Sequence, residues 1–153
     1  MTMNETTTDT TTQSRILIVD DDPNTLEILR RWLNREGYAT VSADNGSACL
    51  EQLGKEPVDV IVLDVMMPGM DGLQVCERLR DNVAWRTIPV MLLTAKDDIE
   101  TRSRGMLLGV SEYLTKPVNK LELFARLQAQ LHSRELERRM EATAATVEAM
   151  AKK

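Results

Sequence analysis

The sequence of 153 residues is poor in the residue types that several common functions need. Two tryptophans, two tyrosines, one phenylalanine and one histidine are too few for a platform on which nucleic-acid bases stack or for a metal site built from imidazoles. The two cysteines, Cys49 and Cys76, lie far apart and lack CxxC spacing, which argues against a zinc site or a disulfide framework. We therefore expect buried, reduced thiols and a cytoplasmic location.

The sequence also lacks an excess of positive charge and a long apolar segment. With 19 basic and 24 acidic residues, its formal net charge is −5, so we expect no direct binding to nucleic acid or to an anionic membrane. The longest apolar run, residues 58–67, is interrupted by Asp59 and Asp64 and is far shorter than the ~20 residues of a membrane span. The first residues have neither a basic start nor an apolar stretch, so they do not resemble a secretory signal.

Composition divides the chain into three parts. Residues 1–14 contain seven threonines and almost nothing apolar, so we predict a disordered leader. Residues 15–131 alternate between short apolar runs and amphipathic segments, and we assign them to one domain with a single core. Residues 132–153 continue the last amphipathic pattern without glycine or proline, which predicts a helical extension.

Hydrophobic patterning predicts the fold class. Aliphatic and β-branched runs predict five strands, and apolar residues at helical spacing between them predict five helices. The last helix is predicted to begin near Asn119 and to turn Leu121, Phe124, Leu127 and Leu131 toward the core. Regular alternation of strands and helices indicates a doubly wound α/β fold with parallel strands. The predicted strands are residues 16–19, 39–43, 58–63, 88–93 and 112–114.

Polar residues follow four of these strands. In an open parallel sheet the site lies beyond the carboxyl ends of the strands, so we expect one cluster of Asp20, Asp21, Asp64, Thr94 and Lys116. Three carboxylates repel one another unless a cation is bound, and a set of oxygen ligands suits Mg²⁺ best. The lysine and the threonine add donors for the oxygens of a phosphoryl group.

Within this cluster each aspartate has a predicted role. Asp64 is the predicted nucleophile, because it stands alone at the end of the most apolar strand and a carboxylate can form an aspartyl phosphate. Asp21 is predicted to bind the metal directly, and Asp20 to bind it as a second ligand or through water. Asp22 is better explained as the cap of the first helix.

Four segments at the ends of predicted strands carry a family pattern. They are residues 18–23, 63–72, 89–95 and 113–117. Together they resemble the receiver domain of bacterial two-component response regulators. This resemblance implies a flavodoxin-like sheet of order 2-1-3-4-5 and Mg²⁺-dependent phosphoryl transfer to Asp64 from a histidine kinase or a phosphotransfer protein. It also implies that the backbone carbonyl of Met66 binds the metal, that Thr94 and Tyr113 form the conformational switch, and that the Lys116–Pro117 peptide bond is cis.

Two other functions remain open at this point. An aspartyl-phosphate hydrolase shares the nucleophile and the metal but expects a second aspartate two residues later, where this sequence has Met66. A phosphorylation-independent interaction module would not need the whole cluster. We therefore expect a phosphoacceptor that signals to a downstream protein, not a turnover enzyme. We also expect slow loss of the phosphoryl group, because an apolar Met66 cannot orient water and Lys96 partly screens the site.

The extension carries a separate pattern. Its apolar residues follow 4-3-4-3 spacing, which is typical of a short coiled coil that pairs two copies or transmits a signal. The alternative is a solvated, frayed helix. No helix-turn-helix pattern follows residue 131, so the chain is either a stand-alone regulator or the front of a longer one, for example with a nucleotide-cyclase or DNA-binding output. The residues at this spacing are Leu136, Met140, Thr143, Val147 and Met150.

Overall fold

The computed structural model describes residues 13–95 and 97–151. Five strands alternate with five helices in this part of the chain, as the patterning predicts. Our interpretations of Lys96 and of most of the leader fall outside the described residues. In chain order the elements are β1 (Arg15–Val19), α1 (Pro23–Arg35), β2 (Ala39–Ala43), α2 (Gly46–Lys55), β3 (Val60–Asp64), α3 (Gly72–Arg80), β4 (Val90–Thr94), α4 (Ile99–Leu107), β5 (Glu112–Thr115) and α5 (Lys120–Ala151).

The strands form one parallel sheet of order β2-β1-β3-β4-β5. The chain begins near the middle, adds β2 on one side, and then crosses β1 to continue on the other side with β3, β4 and β5. The order reverses between β1 and β3, which pair directly through Val19 and Leu63. The predicted doubly wound fold is therefore confirmed, and its reversal point lies where Asp20 and Asp64 leave the sheet.

Two strand boundaries differ from the prediction by about two residues. β3 begins at Val60, not at Val58, because the Asp59 side chain accepts a hydrogen bond from the backbone N–H of Arg15 (2.8 Å) at the start of the sheet. β4 begins at Val90, since Pro89 has no N–H to donate and contributes only its carbonyl to Ile61 (3.0 Å). Both strands also extend one residue further and include the polar residue at their ends.

The core is divided by the sheet into two apolar layers. One layer packs α2 and α3 against the sheet and contains both cysteines, Cys49 and Cys76. Burial raises the pKa of each thiol to about 12, so both are protonated and unreactive near neutral pH. The other layer packs α1 and α5 on the opposite face and contains Leu29 and Leu33 of α1. Helices on both faces explain why the central strands are apolar along their whole length.

Helix α5 contacts the sheet along a face that differs in one residue from the prediction. Leu123 and Leu127 are fully buried, and Phe124 and Leu131 pack against the same layer. Leu121 is 79% exposed, so the prediction that it faces the core is wrong. Positions 121 and 123 are two residues apart and point to opposite sides of a helix, so only one of them can face the sheet.

The same helix continues past the domain without a break. Two arginines connect its next turns to the loops at the amino-terminal ends of the strands. Arg134 Nη1 donates to the carbonyl of Thr87 (2.9 Å), and Arg138 Nη2 lies 3.4 Å from the carboxylate of Asp59. Every residue described after Arg138 is exposed. None of the helices in the described part of the chain has the length and apolar content to cross a membrane.

Candidate functional site

Three carboxylates meet at the carboxyl ends of β1 and β3. One oxygen each from Asp20, Asp21 and Asp64 lies within 4.8 Å of the others. Asp20 and Asp64 are 0% and 2% exposed, whereas Asp21 is exposed. The backbone N–H of Asp20 donates to Ala43 (3.2 Å), which continues the β1–β2 ladder and fixes the direction of its side chain. The structure therefore brings together the three aspartates of the predicted cluster, two of them buried and one facing solvent.

Asp22 belongs to the adjoining helix and not to this cluster. Its side chain accepts hydrogen bonds from the backbone N–H of Asn24 (3.0 Å) and from the hydroxyl of Thr25 (3.1 Å), and Pro23 begins α1. Capping the helix in this way satisfies backbone donors that would otherwise lack partners. The three consecutive aspartates thus divide into a cap and two residues that remain available at the sheet edge.

Lys116 connects the two buried carboxylates. Its Nζ lies 2.9 Å from Oδ2 of Asp20 and 3.2 Å from Oδ1 of Asp64. The position of the lysine depends on the strand before it, because its backbone N–H donates to the carbonyl of Thr94 (2.9 Å). The Lys116–Pro117 peptide bond is cis, as the resemblance implies. The ammonium of Lys116 thus contacts both carboxylates, while the side chain remains about a third exposed.

Burial and neighbouring charges shift the pKa values of Asp64 and Lys116. Burial, followed by the charge of Asp20, raises the pKa of Asp64 to about 6, although Lys116 and the backbone N–H of Met66 oppose this shift. Burial by itself lowers the pKa of Lys116, but the two carboxylates outweigh it and the net shift is upward. Lys116 is therefore protonated, but its single positive charge does not fully offset the burial of Asp64 and its repulsion by Asp20.

The acidic cluster fits a hard divalent cation on two grounds. All of its side-chain donors are carboxylate oxygens, which is the ligand type that Mg²⁺ prefers. In addition, the three carboxylates share one nearby ammonium, that of Lys116, which lies 2.9 Å from Oδ2 of Asp20 and 3.2 Å from Oδ1 of Asp64. Like charges held together at a largely buried site repel one another unless a cation contacts them.

The two other predicted site residues, Thr94 and Met66, have different environments. Thr94 ends β4, is 2% exposed, and its Oγ1 has no hydrogen-bond partner in the part of the chain that the structure describes. Met66 donates its backbone N–H to Oδ1 of Asp64 (3.3 Å), while its side chain is 71% exposed. The exposed thioether offers no charge and only a weak acceptor at the mouth of the site.

Tyr113 is half-buried on β5 and contacts α4. Its hydroxyl donates to the backbone carbonyl of Arg102 (2.7 Å), and the Arg102 guanidinium lies 6.0 Å from the centre of its ring. Sequence analysis did not identify Arg102, because an arginine on a weakly amphipathic helix is normally solvated. No local pattern indicates its contact with a strand eleven residues further along.

Gly72 is a second residue that the sequence analysis missed. A Cβ at this position would lie 2.6 Å from the carbonyl oxygen of Asp64 and 2.8 Å from Cα of Val65. The first residue of α3 therefore approaches the end of β3 as closely as only glycine allows. The breaker-rich loop before it predicts a turn, but not this contact.

The comparisons with known proteins agree on one family. The family model described as "Response regulator receiver domain" matches residues 16–128. Among curated relatives, response regulator PleD of Caulobacter vibrioides (strain NA1000 / CB15N) is 42% identical over 116 residues, which is 76% of this chain and 26% of PleD. Response regulator MprA of Mycobacterium ulcerans (strain Agy99) is 43% identical over 123 residues, which is 80% of this chain and 52% of MprA.

Solved structures give the same result. A putative response regulator from Chloroflexus aurantiacus J-10-fl matches with a TM-score of 0.75 and 36% identity, covering 78% of this chain and 98% of its own. Chemotaxis protein CheY4 of Vibrio cholerae matches with a TM-score of 0.74 and 29% identity, covering 78% and 99%. The matching part thus accounts for nearly the whole of these structures, but for only about a quarter to a half of the curated relatives' length.

Proposed function

This chain belongs to the response regulator receiver domain family, and from that premise we propose that Asp64 accepts a phosphoryl group from a phosphohistidine donor. The observation that carries the proposal is the position of Lys116, whose ammonium lies 2.9 Å from Asp20 and 3.2 Å from Asp64. Two buried acids that share one lysine form a site with unbalanced negative charge, open to a cation on one side and to a phosphoryl group on the other.

The transfer forms one bond and breaks one. A phosphorus–oxygen bond forms to a carboxylate oxygen of Asp64, the phosphorus–nitrogen bond of the donor breaks, and the imidazole keeps that electron pair. Lys116 contacts one oxygen of the transferred group, and the hydroxyl of Thr94 donates to another. Mg²⁺, held by Asp20, Asp21, Asp64 and the backbone carbonyl of Met66, would neutralise charge on the phosphoryl oxygens.

The signal leaves the site through Thr94 and Tyr113. When the Thr94 hydroxyl turns toward the phosphoryl group, it vacates space near the end of β4, and Tyr113 rotates toward that space. The surface of α4, β5 and the first half of α5 then differs between the two states. A downstream protein that binds one form better converts this difference into a signal.

Phosphoryl uptake distinguishes the three functions that the sequence leaves open. The full chain is incubated with acetyl phosphate and Mg²⁺ and then weighed intact by mass spectrometry. Wild type and Asp44→Asn, which changes an exposed turn residue, should gain one acid-labile phosphoryl group, and Asp64→Asn should gain none. Rapid turnover without accumulation would indicate a hydrolase, and no label on wild type would indicate a phosphorylation-independent module.

The partners follow from this chemistry. We propose that the donor is a sensor histidine kinase or a phosphotransfer protein and that the output contact is with a protein, not with nucleic acid or a membrane. Buried reduced thiols and the acidic net charge support a cytoplasmic location. A receiver that forms part of a longer regulator would use the same site in the same way.

We also propose that the extension pairs two copies of the chain. Its apolar residues at heptad spacing are between 43% and 69% exposed at Leu136, Met140, Val147 and Met150, although the helix that carries them is continuous with the folded domain. Extending an existing helix avoids the cost of nucleation. Because the stripe covers only about two heptads, we expect weak pairing that depends on protein concentration.

Sedimentation of matched charge variants tests this pairing. Met140→Glu with Val147→Glu places charges on the stripe, whereas Ala142→Glu with Ala149→Glu places them on another face of the same helix. Only the first pair should abolish the dimer. A monomeric wild type at high concentration, or equal effects of both pairs, would favour a solvated extension.

A further inference from the structure

Helix α4 has a notch that accommodates the ring of Tyr113. At Gly105, a Cβ would lie 2.7 Å from the Tyr113 hydroxyl oxygen, 3.3 Å from Cε1 of the same ring and 3.2 Å from Cδ1 of Leu92. Glycine inside a helix is unfavourable compared with alanine, and this one lies within α4 and is buried. Its physical effect here is to leave room for the tyrosine hydroxyl.

Arg102 contacts the same ring from the preceding turn of α4. Its carbonyl accepts the hydrogen bond from the Tyr113 hydroxyl (2.7 Å), and its guanidinium lies over the ring at 6.0 Å. The far end of the side chain, Nη2, donates to Oγ1 of Thr115 (2.9 Å). We call Arg102, Gly105 and Thr115 together the Tyr113 seat.

The Tyr113 seat is joined to the phosphoacceptor site through the sheet. Thr115 is the register partner of Thr94 across β4 and β5. The next residue, Lys116, donates its backbone N–H to the carbonyl of Thr94. The Arg102 side chain of α4 is therefore hydrogen-bonded to Thr115, a residue that pairs with Thr94 across the strands and directly precedes Lys116.

We propose that Arg102 is a positioning residue that holds Tyr113 in the Tyr113 seat and so opposes the switch. Tyr113 can rotate toward Thr94 only after its hydroxyl leaves the Arg102 carbonyl and its ring leaves the guanidinium. This inference rests on the proposed function, since it assigns a regulator to the same switch. Loss of the arginine side chain keeps the backbone carbonyl that accepts from the Tyr113 hydroxyl and removes the guanidinium from the ring. It should therefore shift the equilibrium toward the released ring by about two- to fivefold, as expected for one partly exposed cation–π contact.

The position of the ring can be measured without any phosphoryl chemistry. The full chain is labelled with 3-fluorotyrosine in a Tyr38→Phe background, so that the single fluorine signal reports on Tyr113. Arg102→Met keeps the length of the side chain but removes its charge and donors, and Arg104→Met is the matched control on an exposed position of α4. Arg102→Met and Thr115→Val should both shift the signal away from its position in the background protein, whereas Arg104→Met should not, and the combination of the first two should add little.

The regulatory part of the proposal has its own measurement. Beryllofluoride, a phosphoryl mimic, is titrated into the same proteins with Mg²⁺. Arg102→Met should bind it about two- to fivefold more tightly than Arg104→Met, because less free energy is spent on releasing the ring. An unshifted Tyr113 signal in Arg102→Met would overturn the contact role. A shifted signal with unchanged beryllofluoride affinity would overturn the regulatory role. Failure of every variant, including the background, to bind beryllofluoride would instead count against the phosphoacceptor function, while the tyrosine signals would still judge the Tyr113 seat.

Discussion

The free energy of unfolding should depend on pH through Asp64 when no metal is present. The pKa of this carboxyl is raised from 3.8 to about 6, because it is buried beside Asp20. A carboxyl with a raised pKa holds its proton more tightly in the folded state than in the unfolded state. Its contribution to stability is therefore present at low pH and is lost as the pH rises from the unfolded pKa to beyond the folded one.

The size of this effect follows from the same shift. About two pKa units correspond to ~3 kcal/mol at 1.36 kcal/mol per unit. Lys116 is about a third exposed and Asp21 faces solvent, so we reduce the expected effect to about 1–2 kcal/mol for solvent screening. The transition belongs to the coupled acidic cluster as a whole and will be broader than that of one isolated carboxyl.

Asp64→Asn isolates this contribution, because it keeps the shape of the side chain and removes the ionisation. Urea unfolding followed by tryptophan fluorescence, in EDTA, should show the variant gaining about 1–2 kcal/mol over wild type between about pH 4 and pH 7. Mg²⁺ at ten times its dissociation constant should return about 1.4 kcal/mol to wild type and less to the variant. Parallel pH curves for the two proteins would refute the charge-crowding argument.

Three further predictions concern substitutions of single residues. Met66→Asn should speed loss of the phosphoryl group by about tenfold, as measured by the decay of acid-labile label. This is less than the ~100-fold that a well-positioned general base contributes, and an unchanged or slower rate would contradict our account of this position. Gly72→Ala should cost about 1–3 kcal/mol in urea unfolding, because the new Cβ meets backbone at 2.6 Å, whereas Gly54→Ala in open space should not destabilise. Arg134→Met should lower the free energy of unfolding by about 1 kcal/mol, because it loses a hydrogen bond to a carbonyl, and Arg138→Met should lower it less, because that arginine forms an exposed ion pair at 3.4 Å. The reverse order in thermal melts would contradict this account of the two contacts.

The acidic cluster was predictable because its residues occupy strand ends. A parallel sheet brings the carboxyl ends of its strands together, so the positions of Asp20, Asp64 and Lys116 along the chain were enough to place them in one site. No knowledge of side-chain packing was needed. The exact strand limits were less predictable, since they depend on which backbone groups find partners across the sheet.

Contacts that depend on side-chain direction could not be predicted in this way. The pattern of α5 contains leucines at both 121 and 123, and periodicity alone did not show which of them faces the sheet. Three arginines carry charges that are typical of solvated helix surfaces, yet each contacts a residue outside its own helix: Arg102, Arg134 and Arg138. Their partners are distant in sequence and are brought near only by the packing of helices on the sheet.

Under the proposed function, unbalanced charge at the site makes it responsive to ligands. Three carboxylates face one ammonium, so a cation would be attracted before any phosphoryl group arrives, and a phosphoryl group would then restore the excess negative charge. The hydrogen bond that holds Tyr113 on α4 is worth about 1 kcal/mol. A ligand moves such a two-state element by the difference between its affinities for the two states, so even a tenfold preference of the phosphorylated site for the released ring, about 1.4 kcal/mol, would be enough to outweigh this contact.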